Sequence, residues 1–160
     1  MSDAIVALEQ PTLPLWHVLG AGAADTLQAV GLPLPAQDME VRFQEPASVM
    51  RASAREYLVI TPQAPISPAD QSCWVLRRND HLLALRGLGW RAVMPWVCHF
   101  DFNALEAGHW LQVAMAGVDV WALQTDGDSL LIGCDPSYGA YLQTLLHQII
   151  REHAVSTSTV

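Results

Sequence analysis

The stretch Trp110-Leu111-Gln112-Val113-Ala114-Met115-Ala116-Gly117-Val118-Asp119-Val120-Trp121-Ala122-Leu123 decides the fold class. It reads as two apolar-rich strands, Trp110–Met115 and Val118–Leu123, joined at the tight turn Ala116-Gly117. A third strand, Ser129–Cys134, follows the turn residues Asp126-Gly127-Asp128. The period then changes. From Ser137 to His153 the apolar residues Tyr138, Tyr141, Leu142, Leu145, Leu146, Ile149 and Ile150 recur at helical spacing along one face. Pro136 stands near the start, where a helix tolerates it, and Ser137 is the expected cap. Strands in antiparallel hairpins with helices returning across one face make an α+β, two-layer α/β sandwich.

Working outward, Leu15–Gly20 reads as a short strand and Gly22–Val30 as a helix that Gly31 stops. Leu32–Ala36 alternates proline with apolar residues and is expected to be extended loop. Ser48–Ala52 and Glu56–Thr61 read as strands turning at Ala54-Arg55, and the prolines of 62–68 mark a linker. Beyond it the plan repeats. Cys73–Arg77 and His81–Arg86 are expected to form a hairpin through Asn79-Asp80, followed by a helix over Gly89–His99 with Pro95 kinking it or setting its start. The expected organisation is one unit over 13–152, with half-domains of about 13–68 and 69–152 and flexible ends at 1–12 and 153–160.

Composition narrows the function. Of 160 residues, 51% are hydrophobic and 15% charged, against about 25% charged in an average domain. The 8 basic residues are all arginine, against 16 acidic ones, for a net charge of -8. Without lysine there is no Schiff-base amine and no P-loop or kinase-type phosphate lysine. The acidic balance argues against a sequence-independent grip on nucleic acid, which needs a basic face. Cys73, Cys98 and Cys134 are too scattered for a disulfide framework. Asp3 and Glu9 stand where a signal peptide would be positive, and no apolar run is long enough for a membrane span. A cytoplasmic location is therefore expected.

Several segments, in order, carry a family resemblance. Ala54-Arg55-Glu56-Tyr57-Leu58-Val59-Ile60-Thr61-Pro62 comes first, then Leu82-Leu83-Ala84-Leu85-Arg86-Gly87-Leu88-Gly89-Trp90-Arg91-Ala92-Val93-Met94. Phe100-Asp101-Phe102-Asn103-Ala104-Leu105 and the Gly108–Val120 hairpin follow, and the series closes on Ser129-Leu130-Leu131-Ile132-Gly133-Cys134-Asp135-Pro136-Ser137-Tyr138-Gly139-Ala140-Tyr141-Leu142. Together they resemble the aminomethyltransferase-like, folate-binding superfamily. In length and in the last strand-to-helix segment the chain is similar to its sarcosine oxidase gamma subunit family. The resemblance implies a non-catalytic accessory subunit whose partners carry flavin and NAD. Folate-handling relatives have an Asp-x-Ser/Thr element before the strand that His81–Arg86 forms here. This chain has Cys73-Trp74-Val75-Leu76-Arg77-Arg78-Asn79-Asp80 instead, so tetrahydrofolate is not expected to bind.

Read by themselves, the residues point away from catalysis. Asp80, the nearest acid to that lost element, reads as a turn former. Cys98-His99 with Asp101, Cys73, Cys134 and His109 lacks any metal-ligand spacing, and Cys98 reads as a small buried hydrophobe. Ser137 is not in a nucleophile elbow, and Gly20, Gly22 and Gly31 make no dinucleotide fingerprint. No catalytic, cofactor-binding or metal-binding residue is therefore expected. Four of the eight arginines, Arg77, Arg78, Arg86 and Arg91, fall within fifteen residues, with Trp90 among them. Arginine and tryptophan anchor interfaces, so Arg77, Arg78, Arg86, Trp90 and Arg91 are the expected partner-docking surface; the alternative is a solvated turn paired locally. Three functions stay open: an accessory subunit of a flavin-dependent sarcosine or amine oxidase in one-carbon metabolism, a free-standing folate-binding or one-carbon transfer protein, and a self-associating protein.

Overall fold

The computed structural model describes residues 6–66 and 72–156, with side chains as far as 152. In chain order the elements are β1 (Ala7–Glu9), β2 (Leu15–Leu19), α1 (Ala23–Ala29), β3 (Val41–Gln44), β4 (Ala47–Ser53), β5 (Glu56–Ile60), β6 (Trp74–Arg78), β7 (His81–Arg86), α2 (Trp90–Val93), β8 (Trp110–Met115), β9 (Val118–Asp126), β10 (Ser129–Cys134) and α3 (Pro136–Ser156). Short 3-10 turns at Met94–Trp96 and Phe102–Ala104 follow α2. The described strands form two five-stranded sheets, ordered β3-β4-β5-β2-β6 and β1-β7-β10-β9-β8. The chain divides into two compact units, one built on residues 12–79 with 108–110, the other on the rest.

In the C-terminal unit every residue of β10 is buried. It pairs antiparallel with β7 from Ser129↔Arg86 to Cys134↔His81, and with β9 on its other side. Alternation then sorts the side chains. Leu130, Ile132 and Cys134 join Leu83 and Leu85 of β7 in a core that α2, the 3-10 turn after it and α3 cover with Trp90, Val93, Met94, Leu142, Leu146 and Ile149. Two glycines set the fit. A Cβ on Gly133 would stand 2.1 Å from the Trp121 indole, and one on Gly139 of α3 would stand 2.2 Å from the His81 ring. The helix opens on Asp135, whose Oδ1 accepts from Ser137 N at 2.8 Å and from Ser137 Oγ at 2.5 Å. Asp135 is therefore the cap, and the expected cap Ser137 lies inside the first turn, because Pro136 takes the first helical position.

In the N-terminal unit, α1 lays Ala23 and Leu27 on Val18, Val49, Tyr57 and Val59 of the sheet. The turn from β2 into α1 depends on Gly20, which has φ +125°. A Cβ there would lie 2.2 Å from the Ser72 carbonyl oxygen. Leading into β3, the Glu40 carboxylate accepts from Gln37 N at 2.9 Å and Ala36 N at 2.6 Å and pairs with Arg42 at 2.5 Å. The Gln37 N–H holds its carboxyl below the ordinary 4.5, helped by the Ala36 N–H, Arg42 and His109 and opposed by burial. Arg51 closes the same loop, donating from Nε to Asp38 at 2.9 Å and from Nη1 to Ala36 O at 2.9 Å.

The structure corrects four expectations. Ala7–Glu9, expected within a flexible end, pairs with Arg86, Leu85 and Ala84 of β7. The last helix continues to Ser156, through part of the expected loose tail. Residues 1–5, 67–71 and 157–160, on which the rest of those expectations and part of the linker fall, lie outside the described residues. Third, β6 and β7 are not a hairpin. β6 pairs with β2, from Leu15↔Arg78 to Leu19↔Trp74, and so belongs to the first sheet rather than to the half beginning near 69. β7 carries four consecutive buried residues and is flanked by β1 and β10, whereas β6 is mostly exposed and suits a sheet edge. Fourth, the helix expected over Gly89–His99 is α2 followed by a 3-10 turn, with Pro95 at its start.

Two stability predictions follow from these contacts. Gly133→Ala forces the Trp121 ring aside and should cost about 1–3 kcal/mol in urea unfolding. Because the Glu40 carboxyl titrates lower folded than unfolded, its contribution is complete above its unfolded value and is lost as pH falls through the folded one. In Glu40→Gln that part of the acid-side loss should vanish from a pH series of unfolding midpoints.

Candidate partner-docking surface

The five residues expected to dock a partner fall on two different units. Arg77 and Arg78 lie on β6, one of the two outer strands of the first sheet, and Arg86, Trp90 and Arg91 lie on the other unit. The chain passes from the first sheet to the second at Asn79-Asp80, so the five residues belong to two units.

Arg86 and Arg91 serve their own unit. Arg86 Nε donates to Glu9 Oε2 at 2.6 Å, and Nη1 donates to Ser129 Oγ at 3.3 Å. Arg91 Nη1 donates to Gly127 O at 3.0 Å. Gly87, at φ +113°, donates its N–H to Asp128 O at 2.8 Å. The loop from β7 into α2 is thereby stitched to the β9–β10 turn.

Trp90, expected as a surface anchor, is 0% exposed. Its ring meets Phe102 edge-on at 5.9 Å, and the Arg91 guanidinium covers it at 4.3 Å. The phase of α2 turns Trp90 and Val93 into the core, and its position just after a glycine loop conceals that. Trp110 and Trp121 are buried too, donating to Arg51 O at 3.1 Å and Asp80 Oδ2 at 2.8 Å. The exposed tryptophans are Trp74 on β6, at 68%, and Trp96, at 65%. Sequence reasoning passed over Trp74 because it read Cys73–Arg77 as half of a hairpin with His81–Arg86. The available signal was Arg77-Arg78, a charged pair at the end of a short apolar run, which marks an edge.

The basic end of β6 is held in place. Arg77 lies opposite Trp16 in the strand register, with its guanidinium 5.0 Å from the ring centroid. Trp16 Nε1 in turn donates to Thr61 O at 3.1 Å. The start of β6 is tied down where Gly22 N donates to Ser72 O at 3.2 Å.

The groups weighed for chemistry are engaged structurally. Asp80 accepts from Trp121, so it is more than a turn former. Burial pushes the Cys134 thiol up, and the Asp80 and Asp135 carboxylates push the same way, so it stays protonated near neutral pH. Cys98 is buried, and its Sγ accepts from Phe100 N at 3.4 Å. Among the described residues no three of His, Cys, Asp and Glu gather in a group that could hold a metal. No helix among them is long and apolar enough to cross a membrane.

No protein-family model and no curated protein matches the chain. Solved structures do. A chain of the heterotetrameric sarcosine oxidase from Corynebacterium sp. U-96, in complex with pyrrole 2-carboxylate, superposes with a TM-score of 0.81 at 18% identity, covering 96% of this chain and 90% of that one. The glycine cleavage system aminomethyltransferase T from Bartonella henselae superposes with a TM-score of 0.67 at 18% identity. That match covers 89% of this chain but only 45% of the transferase. The α+β fold is thus the aminomethyltransferase-like one, shared with both proteins.

The burial pattern makes a direct prediction. Trp90→Ala should cost about 3–5 kcal/mol in urea unfolding. Trp74→Ala, at an exposed position, should stay within about 0.5 kcal/mol of the parent.

Proposed function

We propose that the chain is a gamma-like accessory subunit, without catalytic residues of its own, of a heteromeric flavin-dependent sarcosine or amine oxidase. The observation that carries the reading is the closer superposition on the sarcosine oxidase chain, with a TM-score of 0.81 against 0.67 for the transferase. The chain matches a sarcosine oxidase chain nearly end to end, but spans less than half of the transferase. In this reading flavin and NAD sit on partner subunits, the assembly serves one-carbon metabolism, and the complex is cytoplasmic.

The alternative, a folate-binding or one-carbon transfer protein, needs an acid free to meet a pterin or amine nitrogen. Asp80, the nearest candidate, has its Oδ2 occupied by the Trp121 indole N–H.

Affinity-tagged full-length chain purified from its native host should bring down flavin-carrying polypeptides in fixed stoichiometry, and the assembly should reduce its flavin when sarcosine or a related secondary amine is added. Recovery of the chain alone refutes the proposal. Saturable tetrahydrofolate binding by the isolated chain in calorimetry would favour the alternative.

A further inference from the structure

We infer that the outer edge of β6 receives an extended, acidic segment of a partner polypeptide as an added strand. The inference rests on the subunit reading and names where the partner attaches.

Three observations meet on this strand. β6 ends its sheet, so one side of its backbone pairs with β2 while the other has no strand partner among the described residues. Unpaired edge N–H and C=O groups are a template for strand addition. Trp74 and Leu76, two residues apart and therefore on one face, are 68% and 48% exposed. Large apolar side chains on a sheet edge suit a surface that a partner covers. The strand is also firmly placed, by the Gly20 turn against Ser72 at its start and the Trp16–Arg77 stack near its end. A rigid edge loses little conformational freedom when a strand joins it.

Charge selects the occupant. β6 ends in Arg77-Arg78, and no carboxylate among the described residues pairs with Arg77. A second copy of this chain is a poor match at every edge its described strands offer. Its own β6 has no acid, β3 carries Arg42, β8 is uncharged, and Glu9 of β1 is already bonded to Arg86. A partner strand with apolar side chains beside Trp74 and Leu76 and a carboxylate beside Arg77 satisfies the ladder, the apolar face and the charge together.

The test places the photo-crosslinking residue p-benzoylphenylalanine at position 76 of the tagged full-length chain, expressed in its native host. The expected product joins position 76 to an acidic, extended segment of a different polypeptide. Its yield should fall about tenfold or more in Arg77→Glu/Arg78→Glu, while Arg42→Glu on the opposite edge changes nothing. Reversing the captured segment's carboxylate to arginine should restore the product in the double variant. An unchanged thermal midpoint for the double variant excludes unfolding as the cause; if it unfolds, the same readings are taken on Arg77→Gln. A cross-link within the chain or to a second copy, or to a neutral or basic segment, overturns the inference. If flavin-carrying subunits co-purify without a cross-link at 76, this inference fails and the subunit reading survives. If no partner co-purifies, both fail.

Discussion

The pairing of β7 with β10 is the interaction on which the C-terminal unit depends. Six consecutive register pairs run from Ser129↔Arg86 to Cys134↔His81, on two strands that bury nearly every residue. One end of this ladder is closed by Arg86, Gly87 and Arg91 reaching Ser129, Asp128 and Gly127. The other end is closed by α3, which comes close over His81 because Gly139 has no side chain. A one-residue slip would turn Leu83, Leu85, Leu130 and Ile132 away from the helices, so the register is set by burial more than by any single bond.

That ladder also explains the fate of the arginine run. An exposed ion pair such as Arg86–Glu9 contributes little alone, on the order of 1 kcal/mol or less. Its value here is geometric, since Glu9 lies on β1 and Arg86 on β7, and the pair crosses two strands already in register. Arg91 similarly covers the buried Trp90 ring while holding a turn carbonyl. Only Arg77 and Arg78 remain at an outer strand, where large apolar side chains are exposed beside them.

Legibility from sequence followed the strength of local periodicity. β8, β9, β10 and α3 were readable because their apolar residues alternate or recur at helical spacing over long enough runs. β1 and β3 were not, since three- and four-residue strands carry too little pattern and exist through their partners β7 and β4. The apparent β6–β7 hairpin shows the limit most clearly. Two strand-like runs about Asn79-Asp80 satisfy every local rule for a hairpin, yet each finds its partner elsewhere. Asp135 displaced Ser137 as cap for a similar reason: both residue types cap helices, and only the backbone path shows which one stands just outside the first turn.

The sequence by itself determined the α+β class, the β8–β9–β10 hairpins, the closing helix and the family resemblance. These rest on period, turn residues and composition, which are local. Tertiary structure alone decided which strands share a sheet, which tryptophans face solvent and to which unit each arginine belongs. Strand pairing and burial depend on residues distant in the chain: Trp90 and Trp74 are the same residue type, yet one is core and the other edge. The physical reason is that a side chain's exposure is set by what packs over it, and that partner is supplied by the fold.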